Sequence, residues 1–409
     1  MLTITRSLIA TALMLVASAG PAVAENSVTQ WSLIAQNAVV PGRPAGSGQV
    51  LMGIVHVAIY DAVVAIEGRF EPFAVRPSVK KGASVDAAVA TAAYEVAKAR
   101  VPAQEPSLTT QYTAYMAGLP ANAATANGVA VGHKVAAGVL ALRAGDGFDN
   151  VVPYIQPPVG PGVWEPTAPT PPIDVKLIQV QPLAMPTPWH FRPWGPNNLS
   201  SRRYAREVAE VKLFGRIDSP ARTAERSQIV QFWADNGVAQ WNAVARALAI
   251  EDEMSLLKTA YVLAAINVVT ADALIGCFDA KYYYGFWRPV HAIRRADTDG
   301  NPKTEADPTW SSVLNVNHPE YPSGHACLSG GMVETLEAFF GGRRPISISS
   351  AVTGTTSHYA RIRDAMDEVM LTRIDAGLHF RKSMEDGLKL ARRVSKYVLK
   401  RHFKARRNH

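Results

Sequence analysis

Apolar residues recur three or four positions apart through most of this 409-residue chain, and this spacing constrains the fold more than any other feature. It places apolar side chains on one face of an α-helix. No alternating pattern typical of strands stands out, so the sequence indicates an all-α protein. The predicted helices are 28–39, 47–66, 84–100, 105–118, 121–144, 200–214, 222–234, 236–250, 253–280, 324–340, 357–377 and 381–403.

The helical pattern is interrupted over one long stretch. Residues 148–199 are rich in proline and include three of the tryptophans. Because proline ends helices, we interpret this stretch as a long ordered loop or connection. It separates an N-terminal helical region, 25–147, from a C-terminal helical region, 200–409. A second, shorter irregular segment is predicted at 291–321.

The first 24 residues have the pattern of a secretory signal peptide. Arg6 supplies a positive charge, residues 8–16 are apolar, and Ala22-Val-Ala24 has the small residues of a cleavage site. No later stretch reaches about 18 uninterrupted apolar residues, the length that spans a membrane. We therefore expect a soluble mature protein without an integral membrane segment, located in the periplasm or secreted.

The formal net charge of +8 is concentrated at the C-terminal end. Residues 381–409 hold eleven Lys or Arg against Glu385 and Asp386, whereas the rest of the chain after the signal is close to neutral. A basic end of this kind is typical of a solvated helix terminus. It does not indicate a nucleic-acid-binding face.

A central stretch, 320–325, has the sequence Glu-Tyr-Pro-Ser-Gly-His and precedes a helix of small residues. The free N–H groups of a helix start form an anion site when a Ser hydroxyl and a Gly amide lie beside them. Ser323 and Gly324 occupy those positions, and His325 follows directly. An ordinary capped turn has the same local sequence, so this stretch alone does not establish a function.

Two further stretches add cations and a second histidine. Lys281 and Arg288 lie seven positions apart, and Arg373 and His379 lie six positions apart. Three fixed cations, a Ser–Gly nest and two histidines would suit a tetrahedral or trigonal-bipyramidal oxyanion.

The three blocks resemble the signature of the vanadium-dependent haloperoxidase and type 2 phosphatidic acid phosphatase superfamily. That signature is Lys-x6-Arg-Pro, then Pro-Ser-Gly-His, then Ser-Arg-x5-His. All three blocks occur in order within 281–379, with Thr372 in the usual Ser position. Looser similarity covers most of the chain, including 55–62. The resemblance implies two four-helix-type bundles packed together and vanadate as the cofactor.

The resemblance also implies how the oxyanion is held. Lys281, Arg288 and Arg373 would bind its equatorial oxygens, and arginine keeps its charge at any working pH. Ser323 and the Gly324 amide would complete the set of donors.

The histidines would carry the chemistry. His379 would be the axial ligand to vanadium, or the nucleophile toward phosphorus, and His325 would be the general acid–base. The family commonly has Asp four residues after the axial histidine, where this chain has Ser383. Asp386 could replace it only if the local helix turns that carboxylate inward. His318, seven residues before His325, matches the position where bromide-oxidising relatives tend to have His and chloride-oxidising ones Phe.

Several other residues are interpreted as structural, namely His56, Tyr60, Asp61, Cys277 and Cys327, and His358 as a surface residue. Two cysteines are too few for a disulfide scaffold, and we expect both to be reduced and buried. The sequence contains no His-Glu-x-x-His, Walker loop, Gly-x-Gly-x-x-Gly or Cys-x-x-Cys motif, so other metal or nucleotide chemistry is not indicated.

The resemblance therefore implies an enzyme that uses vanadate and hydrogen peroxide to oxidise bromide or iodide. The hypohalous product would react with a small organic acceptor. One alternative is a vanadate-inhibitable acid phosphatase with a phosphohistidine intermediate at His379. Another is a non-catalytic oxyanion-binding protein. The sequence does not predict the oligomeric state.

Overall fold

The computed structural model describes residues 25–406, so the signal pattern at 1–24 lies outside the described residues. Thirteen α-helices and one β-hairpin form this part of the chain. The helices are α1 (Ser27–Val39), α2 (Ala45–Glu67), α3 (Val85–Arg100), α4 (Glu105–Ala117), α5 (Ala123–Leu142), α6 (Arg202–Phe214), α7 (Ala224–Phe232), α8 (Gly237–Glu251), α9 (Leu256–Tyr284), α10 (Pro289–Arg294), α11 (Gly324–Phe340), α12 (Ile362–Asp375) and α13 (Arg381–Arg401). The strands are β1 (Ile346–Ser350) and β2 (Thr355–Tyr359), which pair antiparallel.

Helix α9 lies at the centre of the fold. It is 29 residues long, and most of its side chains are buried on every face, as expected of a helix surrounded by protein. It packs against α2 from the N-terminal half of the chain and against α11 and α13 from the C-terminal half. One continuous apolar cluster therefore joins residues from both halves of the chain. The division into two bundles remains a prediction.

Helices α2 and α9 are long and apolar enough, by length and composition, to cross a membrane. In the folded protein, however, 89 % of the most apolar window of α2 and 94 % of that of α9 is buried. Their apolar composition is therefore accounted for by the core that they form together.

The prediction of a helical protein is confirmed, but the sequence did not predict the hairpin. Strand β1 alternates buried and exposed residues over five positions, and it packs against α8. This alternation is too short to stand out against the surrounding helical periodicity. The helix predicted at 357–377 is wrong at its start, because 357–359 belong to β2 and α12 begins at Ile362. The irregular segment at 291–321 includes the end of the short helix α10.

The polar residues of α2 have structural partners, as predicted. His56 Nε2 lies 3.1 Å from Ser32 Oγ, and the Tyr60 hydroxyl donates to the Glu71 carbonyl at 2.9 Å. Burial lowers the pKa of His56 to about 3, with the Arg246 charge acting in the same direction. The neutral imidazole is therefore part of the core.

Two buried aspartates fasten irregular segments to the central helices. Asp272 of α9 accepts the backbone N–H groups of residues 183–185 at 2.6, 2.9 and 2.7 Å. Asp61 of α2 accepts those of residues 73–75 at 2.6, 2.8 and 2.7 Å. Burial raises the pKa of both carboxyls to about 6, although the N–H donors oppose that rise. Part of the proline-rich connection is ordered in this way.

We expect Asp272→Asn to lower the free energy of unfolding by about 2 kcal/mol, because one amide oxygen replaces two carboxylate oxygens facing three donors. Urea denaturation followed by far-UV circular dichroism measures the change. The control is Asp297→Asn, at an exposed position, which should change stability by less than about 0.5 kcal/mol. Equal losses in the two variants would contradict the role of Asp272.

Candidate functional site

The N-terminus of α11 forms the floor of the site. Ser323 is the N-cap residue, is fully buried, and its Oγ accepts the Ala326 N–H at 3.4 Å. A Cβ built on Gly324 would lie 3.8 Å from Lys281 Cε, so the lysine side chain runs beside the first turn of the helix. The amides of this turn have no partner within the helix and favour negative charge.

Lys281, near the C-terminal end of α9, is completely buried. Its Nζ donates to the carbonyls of Pro319 at 2.9 Å and Glu320 at 3.1 Å. Burial lowers the pKa of Lys281 to about 7. The two carbonyls satisfy hydrogen bonds of the ammonium group but supply no neutralising charge.

Two buried arginines complete the cationic set. Arg288 donates from Nε to the His318 carbonyl at 2.8 Å and from Nη1 to the Leu378 carbonyl at 2.9 Å. Arg373 donates from Nη1 to the Trp233 carbonyl at 3.1 Å, whereas its Nε has no partner among the described residues. Burial lowers the pKa of Arg288 to about 10 and that of Arg373 to about 9.

The turn between α12 and α13 brings Arg373 and His379 to the same place. The backbone N–H groups of Leu378 and His379 donate to the Arg373 carbonyl at 3.1 and 3.3 Å. Gly377 has a φ of +74°, and a Cβ there would lie 2.6 Å from the Gly215 carbonyl oxygen. Only glycine satisfies both constraints without strain.

His379 is held by Glu320, a residue for which the sequence suggested no role. The imidazole Nδ1 lies 2.9 Å from Glu320 Oε1, and both side chains are almost completely buried. The same carboxylate oxygen accepts the Phe380 N–H at 3.0 Å, and Ser383 Oγ lies 3.4 Å from Nδ1. A carboxylate at Nδ1 fixes the tautomer with the proton on Nδ1, so Nε2 keeps its lone pair.

Asp386 does not contact His379. The possibility that it replaces the carboxylate usual in the family is therefore wrong. Its carboxylate instead accepts the Tyr321 hydroxyl at 2.7 Å and the Lys382 ammonium at 2.6 Å. The helix directs it to the outer side of the central motif. Only the acidic residue at the start of that motif, Glu320, could have indicated the partner from sequence.

The pKa shifts in this pair follow from burial. The pKa of Glu320 is raised to about 7 by burial, with the charges of Arg288 and Lys281 opposing the rise. The pKa of His379 is held well below its ordinary value by burial and then by Arg288. Consistently, His379 Nε2 lies 3.4 Å from Arg288 Nη1, which can donate to it.

His318 and His325 line a cavity of about 460 Å³ that reaches the start of α11. His318 Nδ1 lies 2.9 Å from Arg288 Nη2, so the sequence-predicted halide residue touches one of the cations directly. Burial lowers the pKa of both histidines well below the usual value; Lys281 adds to the effect at His318, and Arg373 at His325. The lowered pKa favours the neutral form of both imidazoles.

The remaining residues of the motifs pack beneath the site. Cys277 and Cys327 are buried and unbonded to each other, and Cys277 Sγ lies 3.6 Å from the Ser323 carbonyl oxygen. Burial raises the pKa of Cys327 well above its ordinary value, so it is a poor thiolate source. Thr372 is buried, and its hydroxyl has no partner among the described residues.

The donor set fits an oxyanion. Lys281, Arg288 and Arg373 are buried, and none forms an ion pair with a described carboxylate. Buried charges of one sign require a counter-charge, and N–H donors suit its oxygens. Within residues 25–406, no cluster of His, Cys, Asp and Glu is arranged to hold a bare metal ion. A tetrahedral oxyanion such as vanadate or phosphate fits, and His379 Nε2 offers a ligand to its central atom.

We expect Glu320→Gln to weaken orthovanadate binding at least about tenfold, because the amide can turn its NH₂ group toward Nδ1 and no longer fixes the tautomer. Isothermal titration calorimetry measures the affinity. Glu225→Gln, at an exposed position on α7, serves as the control and should bind like the wild type. Undiminished affinity in Glu320→Gln would contradict this role of Glu320.

Comparisons with known proteins agree with this geometry. Residues 261–408 match the family model described as the VCPO second helical-bundle domain. Vanadium chloroperoxidase of Curvularia inaequalis is 29 % identical over 123 residues, which cover 25 % of this chain and 20 % of that protein. The chain thus matches about a fifth of the length of this curated relative.

Solved structures share the fold over nearly the whole chain. A bacterial vanadium-dependent iodoperoxidase superposes with a TM-score of 0.78 at 21 % identity, covering 93 % of this chain and 97 % of the other. A bacterial vanadium-dependent chloroperoxidase in its holo form gives a TM-score of 0.68 at 17 % identity, covering 92 % and 93 %. The chain is therefore similar to the VCPO second helical-bundle domain over residues 261–408, and it shares the fold of these solved structures over nearly its whole length.

Proposed function

We propose that this protein is a vanadate-dependent haloperoxidase that oxidises bromide or iodide with hydrogen peroxide. The observation that carries the proposal is the position of His379, whose Nδ1 is held by Glu320 and whose Nε2 lies among buried cations with a single long contact, 3.4 Å to Arg288 Nη1. Such a nitrogen is suited to bind an electrophilic centre whose oxygens are held by the cations.

Vanadate would be held by the side chains that surround the start of α11. When bound, it would supply Lewis acidity that polarises hydrogen peroxide without a change in the oxidation state of vanadium. His379 Nε2 would provide a nitrogen ligand to it. The groups that would bind the oxygens are Lys281, Arg288, Ser323, the Gly324 amide and Arg373.

His325 would move the protons. Its neutral imidazole lines the cavity, and it would accept a proton from hydrogen peroxide as the substrate binds. Later, the same nitrogen would return a proton to the oxygen that leaves as water. In the net reaction, halide, hydrogen peroxide and one proton give hypohalous acid and water. The hypohalous acid then reacts with a small organic acceptor.

The same site supports a second candidate, an acid phosphatase inhibited by vanadate. His379 Nε2 would attack phosphorus, and His325 would protonate the leaving oxygen. A bound vanadate and a phosphoryl transition state make the same demands on the three cations. A non-catalytic oxyanion-binding protein is a third candidate, which the presence of both His379 and His325 at the site disfavours. The signal pattern at 1–24 supports the further proposal that the protein is exported.

We expect bromide oxidation by the purified apo-protein to require both orthovanadate and hydrogen peroxide, and phosphate to suppress it by competition. His379→Ala should reduce the rate by at least about 100-fold, because the nitrogen ligand is lost. Halogenation of a phenol indicator, followed by absorbance, measures the rate. His358→Ala on β2 removes an exposed histidine instead and should leave the rate unchanged.

Ester hydrolysis by the apo-protein that vanadate abolishes would establish the phosphatase instead. Tight vanadate binding without either activity would establish the binding protein. The haloperoxidase is active only with vanadate, the phosphatase only without it, and the binding protein in neither state. Parallel assays with and without vanadate therefore separate the three.

We expect the wild type to oxidise bromide and iodide and hardly any chloride, and His318→Phe to raise kcat/KM for chloride relative to bromide. His318 Nδ1 lies within hydrogen-bond distance of Arg288 Nη2, at 2.9 Å. A phenyl ring cannot accept this bond, so the substitution would leave that donor available to the oxyanion and make the pocket drier. Steady-state kinetics with the three halides measure the ratio, with His358→Phe as the control. Efficient chloride oxidation by the wild type, or an unchanged ratio in His318→Phe, would refute this account.

A further inference from the structure

The cavity above the site is larger than a halide and hydrogen peroxide require. Its volume is about 460 Å³, whereas a water molecule occupies about 30 Å³ in the liquid. Pockets of about 300 to 1,000 Å³ are typical of sites for small organic ligands. His325 and Gly324 line it, so a molecule inside lies next to the proposed reaction centre.

The walls of the cavity are apolar and partly aromatic. They are formed by Ile173, Leu274, Phe278, Val316 and Leu328. The Phe278 ring lies 5.4 Å from the His318 ring, centroid to centroid, at an interplanar angle of 57°. Apolar walls of this kind favour a planar aromatic ligand, because aromatic rings bury a large area and pack against one another edge to face.

Most polar groups near the cavity already have partners. Asp235 accepts the backbone N–H groups of Asn236 and Ala351, both at 2.6 Å. The side chain of Asn236 caps α8 by accepting two N–H groups of its first turn. These side-chain oxygens hold the surrounding backbone.

Arg43, in the loop between α1 and α2, is the exception. It lines both this cavity and a neighbouring one beside Asp174, is half-buried, and forms no ion pair with a described carboxylate. The one hydrogen bond of its side chain within the described residues runs from Nη1 to the Val39 carbonyl at 3.3 Å. A guanidinium has five N–H donors, so most of this group is free to bind an anion in the cavity.

We infer that this cavity binds the organic acceptor, and that the acceptor is a phenolic aromatic molecule carrying a carboxylate, with its ring against the apolar walls and its carboxylate at Arg43. The inference rests on the proposed haloperoxidase function and gives its substrate class. The halogen then reaches the ring inside the protein. A carbon–halogen bond forms, the oxygen–halogen bond of hypohalous acid and a ring carbon–hydrogen bond break, and the proton leaves with the oxygen as water.

A competition between two acceptors tests this inference. Equal amounts of 4-hydroxybenzoate and its neutral amide, 4-hydroxybenzamide, are iodinated in one vessel by the vanadate-loaded enzyme. The product ratio is compared with the ratio that hypoiodous acid gives without protein, which removes the difference in ring reactivity. We expect the enzyme to favour the carboxylate by about fivefold over the protein-free ratio, the size of a partly exposed ion pair.

The same ratio in variants identifies the group responsible. Arg43→Gln should return it to the protein-free value, Arg43→Lys should keep most of the preference, and Arg202→Gln, at an exposed position on α6, should behave like the wild type. Triiodide formation from iodide and hydrogen peroxide needs no organic acceptor, and its rate should be the same in all four proteins. A wild-type ratio equal to the protein-free ratio would overturn the inference.

A binding measurement keeps the inference testable if no halogenation occurs. Absence of triiodide formation would refute the proposed function, and calorimetric titration of 4-hydroxybenzoate would then decide about the cavity. The titration uses saturating orthovanadate, so that the carboxylate cannot occupy the oxyanion site. We expect about fivefold weaker binding in Arg43→Gln than in the wild type and in Arg202→Gln. Equal binding in the three proteins, or none, would refute the inference.

Discussion

The structure depends on burying three cations at one point without a matching set of carboxylates. Lys281, Arg288 and Arg373 lose the solvation of water, and backbone carbonyl groups replace part of it. Carbonyl dipoles satisfy N–H donors but leave the charge uncompensated, which is why burial lowers all three pKa values. A bound oxyanion would compensate that charge. The buried cations therefore destabilise the fold on their own and favour binding of the anion.

The exception to this pattern is Glu320, which bonds to the imidazole. Its carboxylate contacts His379 and a backbone N–H rather than the guanidinium of Arg288 or Arg373. Because Glu320 contacts the histidine and not the guanidinium groups, the cations remain available to bind an anion. The same contact keeps His379 in one tautomer. Glu320 supplies the carboxylate at Nδ1 of His379, and Ser383, at the position where the resemblance implies an aspartate, is a second contact of that nitrogen.

The site is assembled from the ends of helices. The C-terminal end of α9 brings Lys281, the N-terminus of α11 brings Ser323, and the turn after α12 brings His379. Helix ends carry backbone groups without partners in the helix, so they can bind a ligand without breaking the helix. Because α9 is buried along its length and packs against α2, α11 and α13, these ends are held in fixed positions.

The sequence by itself determined most of the helices and the residues of the three motifs, because helical periodicity and the spacing within a motif are local properties of the chain. It did not determine the partner of His379, since Glu320 lies 59 residues away and only packing brings the two together. For the same reason, the loop that carries Arg43 gave no sign that it faces the cavity beside His325. The hairpin formed because β1 could bury two isoleucines against α8, a contact that five residues of sequence could not predict. Contacts between distant segments were decided by the tertiary structure alone.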